Sequence, residues 1–366
     1  MGAGTAQGGA CLLISGKERK NMEFVVFAGV LLLLFIFMIV QELIQTKNQE
    51  KLFKKYLREN YGKEPPKEYS LERFARLGSY LERHKEEKQL DDITWNDLGM
   101  DEVFRRIDRT YSAAGEEYLY YTLRNISCGR EALEHLEEVV NWLQEQENIK
   151  VRIQLLMKRL GHLGKYSLYD YLDNLDYLGE RSNRKIVLGN LLYLPFLLLL
   201  FVQPAMGTIG IVLCMLWHIM TYFREKKVIE PYIISFAYVL RLIDVCEELE
   251  KQKIPVYRRE LDELREALKS LRELRRGAYW VMAGNQGKIG GNPLDILADY
   301  LRMILHLDIF QFNRMLEKLR KKTGQVETML AITGYLDMAI SVGGFRKSLE
   351  GYCIPKLEED TEKAFL

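Results

Sequence analysis

Catalytic apparatus is what this chain is short of. Its five cysteines (Cys11, Cys128, Cys214, Cys246 and Cys353) are scattered and form no Cys-x-x-Cys pair. That argues against a zinc ribbon or a secreted disulfide framework and fits reduced thiols in the cytosol or a membrane. The histidines (His84, His135, His162, His218 and His306) are equally dispersed. Only Cys214 and His218 stand four apart on one helix face, and two ligands without a second pair make no metal site. No Ser/His/Asp or Cys/His set has the arrangement of a nucleophile with its base. Charge of one sign is missing too: 52 Lys and Arg against 51 Asp and Glu leave a net +1. Any nucleic-acid contact must then come from a local patch.

Uncharged apolar sequence, by contrast, is plentiful. Ile186–Val202 reads IVLGNLLYLPFLLLLFV and Met206–Phe223 reads MGTIGIVLCMLWHIMTYF, with only Gln203, Pro204 and Ala205 between them. As helices these runs reach ~26 Å, near the lower limit for a hydrocarbon core of ~30 Å. Arg181, Arg184 and Lys185 precede the first run; Arg224, Lys226 and Lys227 follow the second, and the turn is uncharged. The positive-inside rule predicts a membrane hairpin with both flanks in the cytosol and the turn outside. His218, the one imidazole in the hairpin, is expected near the cytosolic interface.

The amino terminus supplies a third apolar run. Residues 1–21 are a glycine-rich, then basic leader, and Met22 is the expected natural start. Phe24–Val40 follows, and Gln41-Glu42-Leu43-Ile44 offers no small-residue cleavage site, so residues 22–43 read as a retained anchor. Lys47, Lys51, Lys54 and Lys55 crowd its far side and place its amino terminus outside. Residues 44–91 then form cytosolic juxtamembrane helices, interrupted at Pro65-Pro66. Ser70 is placed to cap a helix striped by Leu71, Phe74, Leu77 and Leu81.

Asp92–Arg124 predicts two short helices. Asp101 is placed to cap the first, which carries Val103, Phe104 and Ile107. Ser112 is placed to cap the second, with Glu116 and Glu117 in its first turn facing the helix dipole. Gly115 permits close helix approach. The stretch TWNDLGMDEVFRRIDRTYSAAGEEYLYYTLR resembles the opening of the core, or lever, region of MutS-related proteins, the DNA mismatch-repair ATPase family, in a membrane-anchored branch. The residues that carry the resemblance are Thr110, Ser112, Gly115, Leu119, Leu123 and Arg124, then Gly129 to Leu133. Later landmarks are Asn292, Pro293 and Asp295, and Asp337 in Gly334-Tyr-Leu-Asp337. The similarity spans about Asp92–Pro355 and is interrupted by the hairpin.

That resemblance implies a long helical lever, a homodimer, DNA as a partner, and ATP with magnesium wherever an ATPase domain is supplied. Yet none of Gly16-Lys17, Gly62-Lys63, Gly164-Lys165 and Gly287-Lys288 precedes the Ser or Thr of a phosphate loop. Phe223-Arg-Glu225 matches the family's mismatch wedge in letters only, at a membrane exit. No cofactor is therefore expected on this chain, and Leu366 lies about where the ATPase domain would begin.

The remaining pattern is helical. Leu133, Leu136, Val140 and Leu143 mark one helix, and Val151, Leu155, Leu156 and Leu160 the next. Tyr166–Leu178 leads into the hairpin. Glu230–Glu250 is apolar round most of its circumference, and Leu261, Leu264, Leu268 and Leu271 form an antiparallel-type seam. Gly284–Asn292 reads as a loop, followed by a helix with Asn292 as cap and Pro293 at its first position. Phe310–Arg320 and Val326–Ile340 complete the bundle. Two basic clusters are candidates for phosphate or DNA contact: Arg272, Arg275, Arg276, and Lys318, Arg320, Lys321, Lys322. Glu273 and Glu317 interleave with them, so solvated helix ends are the plainer reading. Asp295 and Asp308 invite a paired-carboxylate reading, but each is better placed at the start of a helix.

The expectation is an all-α, membrane-anchored helical bundle with three transmembrane helices and long cytosolic lever-like helices. Its segments are a leader at 1–21, a span at 22–43, juxtamembrane helices at 44–91, a MutS-core-like arm at 92–185, the hairpin at 186–223 and a second lever arm at 224–366. Its partners are the lipid bilayer and, through the resemblance, DNA and an ATPase domain or chain. The expected role is a scaffold or coupling element, non-catalytic alone. The alternative is the amino-terminal portion of a MutS-family ATPase whose nucleotide-binding domain lies downstream or on another chain.

Overall fold

A computed structural model describes residues 37, 39–41, 44–63, 69, 71–86, 88–126, 129–163, 167–275 and 300–353. The leader at 1–21, most of the expected span at 22–43, Pro65-Pro66, Ser70, Cys11, Cys128 and Arg276 lie outside these residues, as do the Gly284–Asn292 loop, Asn292, Pro293 and Asp295. The chain divides into two units, 1–60 and 61–366. In the smaller one, residues 44–60 form a charged helix in which Lys54 pairs with Glu50 one turn away.

The larger unit is all α among its described residues, apart from one isolated bridge between Gln89 and Asn125. Its helices are α1 (Leu71–Arg83), α2 (Asp92–Asp97), α3 (Met100–Ile107), α4 (Ala113–Arg124), α5 (Arg130–Glu145), α6 (Glu147–Leu160) and α7 (Leu168–Asp173). There follow α8 (Arg184–Leu191), α9 (Tyr193–Val202), α10 (Pro204–Glu250), α11 (Arg258–Leu271), α12 (Leu307–Arg320) and α13 (Thr323–Ser348). Asp101 does not cap α3: Gly99, at φ 61°, holds that position, and Asp101 accepts from the Trp95 indole at 2.7 Å. Ser112 does cap α4, accepting from the Gly115 amide at 3.1 Å.

Three described helical stretches are long and apolar enough to cross a membrane: Arg184–Val202, Pro204–Glu230 and Thr323–Ser348. The first two form a hairpin whose outer faces are bare, with Leu198, Phe201, Val202 and Met220 largely exposed. The first span breaks at Leu192, three residues before Pro195, whose ring crowds the preceding turn and removes a donor. Gly207, Gly210, Cys214 and His218 form the buried seam of the second span. A side chain at Gly207 would meet the Leu200 backbone at 2.6 Å, so small residues set how closely the spans approach. The third stretch, α13, is covered instead by α4, α5, α6 and α11. It is the centre of the bundle, and protein already occupies its surface.

The helix of the second stretch does not end with its apolar run. Where sequence pattern suggests a separate helix from Glu230, α10 runs unbroken for 47 residues, ~70 Å at the α-helical rise. Its far half carries the buried Phe236, Leu240, Ile243 and Cys246. Phe236 meets Phe312 of α12 edge to face, with ring centres 4.8 Å apart. The Leu261, Leu264, Leu268 and Leu271 seam of α11 is buried as expected.

The most extensive helix contact joins α4 to α13, so the carboxy-terminal helix does cover the Tyr118–Leu123 segment. Met338, with Tyr335 and Val342 beside it, packs in one cluster with Leu119 and Tyr120, and Leu119 is the fully buried leucine while Leu123 is half-buried. Leu119→Ala should therefore cost about 2–5 kcal/mol and Leu123→Ala less. Limited proteolysis of Leu119→Ala should open α13 as well as α4; unchanged protection of α13 would separate the two arms.

Candidate functional site

Ser112, Gly115 and Asp337, three of the residues that carry the sequence resemblance, meet at one buried joint. Asp337, inside α13, is fully enclosed. Its Oδ2 accepts from the Tyr111 amide (3.0 Å), the Ser112 amide (2.8 Å) and the Ser112 hydroxyl (2.6 Å). A carboxylate at the start of α4 completes orphan helix donors and meets the positive end of the helix dipole. The approach needs two glycines. A Cβ on Gly115 would lie 2.7 Å from the Asp337 Cβ, and one on Gly334 would lie 2.6 Å from the Ala114 carbonyl oxygen. Ser112 and Asp337 have the spacing of a nucleophile and base, but both are sealed from solvent. The arrangement is a mechanical tie.

Around the joint lies a second polar layer. Thr110 Oγ1 donates to Asp108 at 2.6 Å, and Tyr69 donates to the same carboxylate at 2.7 Å. Glu116, expected only to face the helix dipole, is fully buried and paired with Arg73 and with Arg76, the latter at 2.6 Å. Arg124 closes the far end of α4. It donates to the Leu90 carbonyl and Asp92 and stacks over Trp95 at 4.4 Å.

Glu117 is buried beside these pairs and accepts from the Ser167 hydroxyl at 2.9 Å. Burial, outweighing that bond, pushes its carboxyl up from 4.5 to about 8. The unfolded chain gives up this proton first, so stability from the neutral acid is full below pH ~4.5 and is lost as pH rises to ~8.

A different set of polar contacts ties the bundle to the hairpin. Asn183 and Asn190 donate to the carbonyls of Phe310 and Leu305 at 3.0 and 3.1 Å. Tyr222 donates to Asp308 at 2.8 Å, which places Asp308 in the first turn of α12 as expected. His218 is buried, bonded to the Cys214 carbonyl oxygen at 2.9 Å, and its ring centre is 5.4 Å from that of His306. His306 has a φ of 53°, in the left-handed region. Among the described residues no group of three His, Cys, Asp or Glu side chains is arranged to hold a metal ion.

The basic clusters are brought together and are partly consumed. Lys318 pairs with Glu273 at 3.0 Å, which joins the end of α12 to the turn after α11. Arg320 donates to the carbonyls of Leu175 and Gly179, at 2.6 and 3.0 Å. Lys322 donates to the Ser270 carbonyl. Arg272 and Lys321 stay exposed, and Arg275 ends the short 3₁₀ turn that follows α11. Sequence reasoning placed Thr110, Ser112, Gly115, Leu119, Arg124 and Asp337 as motif residues. It gave no part to Asp108, Ser167 or Arg76, and it put Glu117 only at the helix dipole; the Arg76–Glu116 and Ser167–Glu117 contacts join residues too far apart in the chain to be seen.

Glu117→Gln should flatten the fall in stability between pH ~4.5 and ~8 that the wild-type chain shows, a difference on the order of a few kcal/mol. Thermal unfolding across that range, with wild type and variant in the same detergent, reads it directly. Parallel pH profiles would mean that Glu117 is ionised in the fold.

No family model, no curated protein and no solved structure matches this chain.

Proposed function

We propose that this chain is a membrane-anchored coupling module, non-catalytic by itself, that links a hairpin in the bilayer to a lever-like cytosolic bundle. The observation that carries the reading is the 47-residue α10, whose first half is one arm of the apolar hairpin and whose second half is bundle core. A displacement at either end of such a helix is passed to the other with no flexible joint between. The bare apolar flanks of the hairpin support a lipid environment, since a soluble chain rarely leaves so continuous an apolar surface exposed. The cations at both cytosol-facing ends and the uncharged turn support an external Gln203–Ala205. The other expectations are a multi-pass protein of the cell membrane, with an amino-terminal anchor over 22–43 and an external amino terminus.

The MutS-like character of the bundle, and with it a homodimer, DNA and an ATPase domain as partners, rests on the sequence resemblance alone. Its support is that Asp337 meets Ser112, 225 residues earlier in the chain, and the neighbouring Gly115 at one joint. The basic clusters add little to a DNA reading, because Lys318, Arg320 and Lys322 already tie the bundle together.

Thiol labelling in intact cells tests the topology. Ala205→Cys should react with an impermeant maleimide from outside. Cys353, exposed in the fold, should react only after permeabilisation. Cys246 is fully buried and should stay silent in either topology. Labelling of Cys353 in intact cells would overturn the arrangement.

A further inference from the structure

Where the hairpin meets the bundle, α8, α10 and α12 border an open cleft of about 700 Å³ that none of the foregoing uses. That is within the ~300–1,000 Å³ of ordinary small-molecule sites. Its lining is two-sided. Leu188, Leu192 and Trp217 form an apolar wall on the hairpin, and all three are exposed. Arg181, Lys185 and Arg224 supply cations at the end of the hairpin that joins the bundle. Two carboxylates, Glu180 and Glu225, also line it. Glu225 is engaged by Arg181, which also donates to Asn313 at 3.0 Å. Lys185 and Arg224 are exposed and have no ion-pair partner among the described residues. After Arg181 and Glu225 cancel, two cations face one carboxylate.

An apolar wall at hydrocarbon depth that leads down to unpaired cations matches an amphiphile with an anionic head. We propose that this cleft binds a phosphate ester, delivered as the headgroup of an anionic phospholipid, with its acyl chains along Leu188, Leu192 and Trp217. Lys185 and Arg224 meet the phosphate. The lipid source is favoured over a free phosphate by the apolar wall, which a free anion would leave unused, and by the negative charge of cytoplasmic leaflets. The inference rests on the membrane reading above. Its consequence for coupling is direct: α10 lines the cleft through Trp217, His218 and Arg224, so an occupied cleft braces the helix that joins hairpin to bundle.

The test uses the full chain purified in neutral detergent and follows thermal unfolding against added lipid. Short-chain phosphatidylglycerol should give a saturable upward shift, and phosphatidylcholine at the same concentrations should give none. The double variant Lys185→Gln/Arg224→Gln alters only exposed side chains and should bind phosphatidylglycerol roughly 30-fold more weakly. A control with Arg272→Gln/Lys321→Gln, exposed charges away from the cleft, should bind as the parent does. Equal shifts with phosphatidylcholine, or undiminished binding by the cleft variant, would overturn the proposal. Inorganic phosphate reproducing the shift at equal concentration would overturn the lipid source. Extraction of membranes with alkaline carbonate separates the two readings. An extractable chain fails the membrane reading, whereas an inserted chain blind to headgroup charge fails only this one.

Discussion

A carboxylate in the middle of an apolar helix has to be answered, and in this protein the answer organises the bundle. Asp337 is out of reach of water, so leaving its oxygens unpaired would cost several kcal/mol. The donors that satisfy it are the amides of Tyr111 and Ser112, just ahead of α4, and the Ser112 hydroxyl, 225 residues earlier in the chain. Meeting them forces α4 against α13 at a distance only Gly115 and Gly334 allow. That contact in turn buries Leu119 and positions Glu116 and Glu117 under α1 and beside Ser167. Removing one side of such a pairing is far more damaging than the net value of the bonds suggests, because the other side stays buried and unpaired.

The second constraint is continuity. α10 passes from an apolar hairpin to a packed core without a break, although Arg224, Lys226, Lys227 and Pro231 fall in between. Lys226 is drawn to the Tyr222 hydroxyl at 3.0 Å, one turn back, and Asp308 holds the same hydroxyl from α12. The junction is therefore cross-braced by side chains from both arms. The hairpin and the centre of the bundle are parts of one packed body.

Local features were legible in the sequence and long-range ones were not. The hairpin stood out because seventeen uncharged residues in a row admit few other readings. Ser112 read as a cap, since hydroxyl residues ahead of an acidic first turn satisfy orphan amides. Gly115 read as a close approach because it lacks a side chain amid larger ones. Asp337 looked like a landmark only, as nothing local reveals that its partners lie 225 residues away. The unbroken α10 was hidden by its change of character: apolar periodicity stops at Phe223 while helical backbone does not. Leu133 shares its predicted stripe with the buried Val140 and Leu143 but is exposed, because the first turn of α5 extends past the packed part of the helix.

The central claim is that the joint at Asp337 and the bundle half of α10 belong to one cooperative body. Amide hydrogen exchange on the Asp337→Asn variant, in bilayer discs, measures this directly. The account predicts faster exchange both in Ala113–Arg124 and in the Ile233–Glu250 part of α10. Loss of protection confined to Ala113–Arg124, with α10 exchanging as in the parent chain, would contradict it.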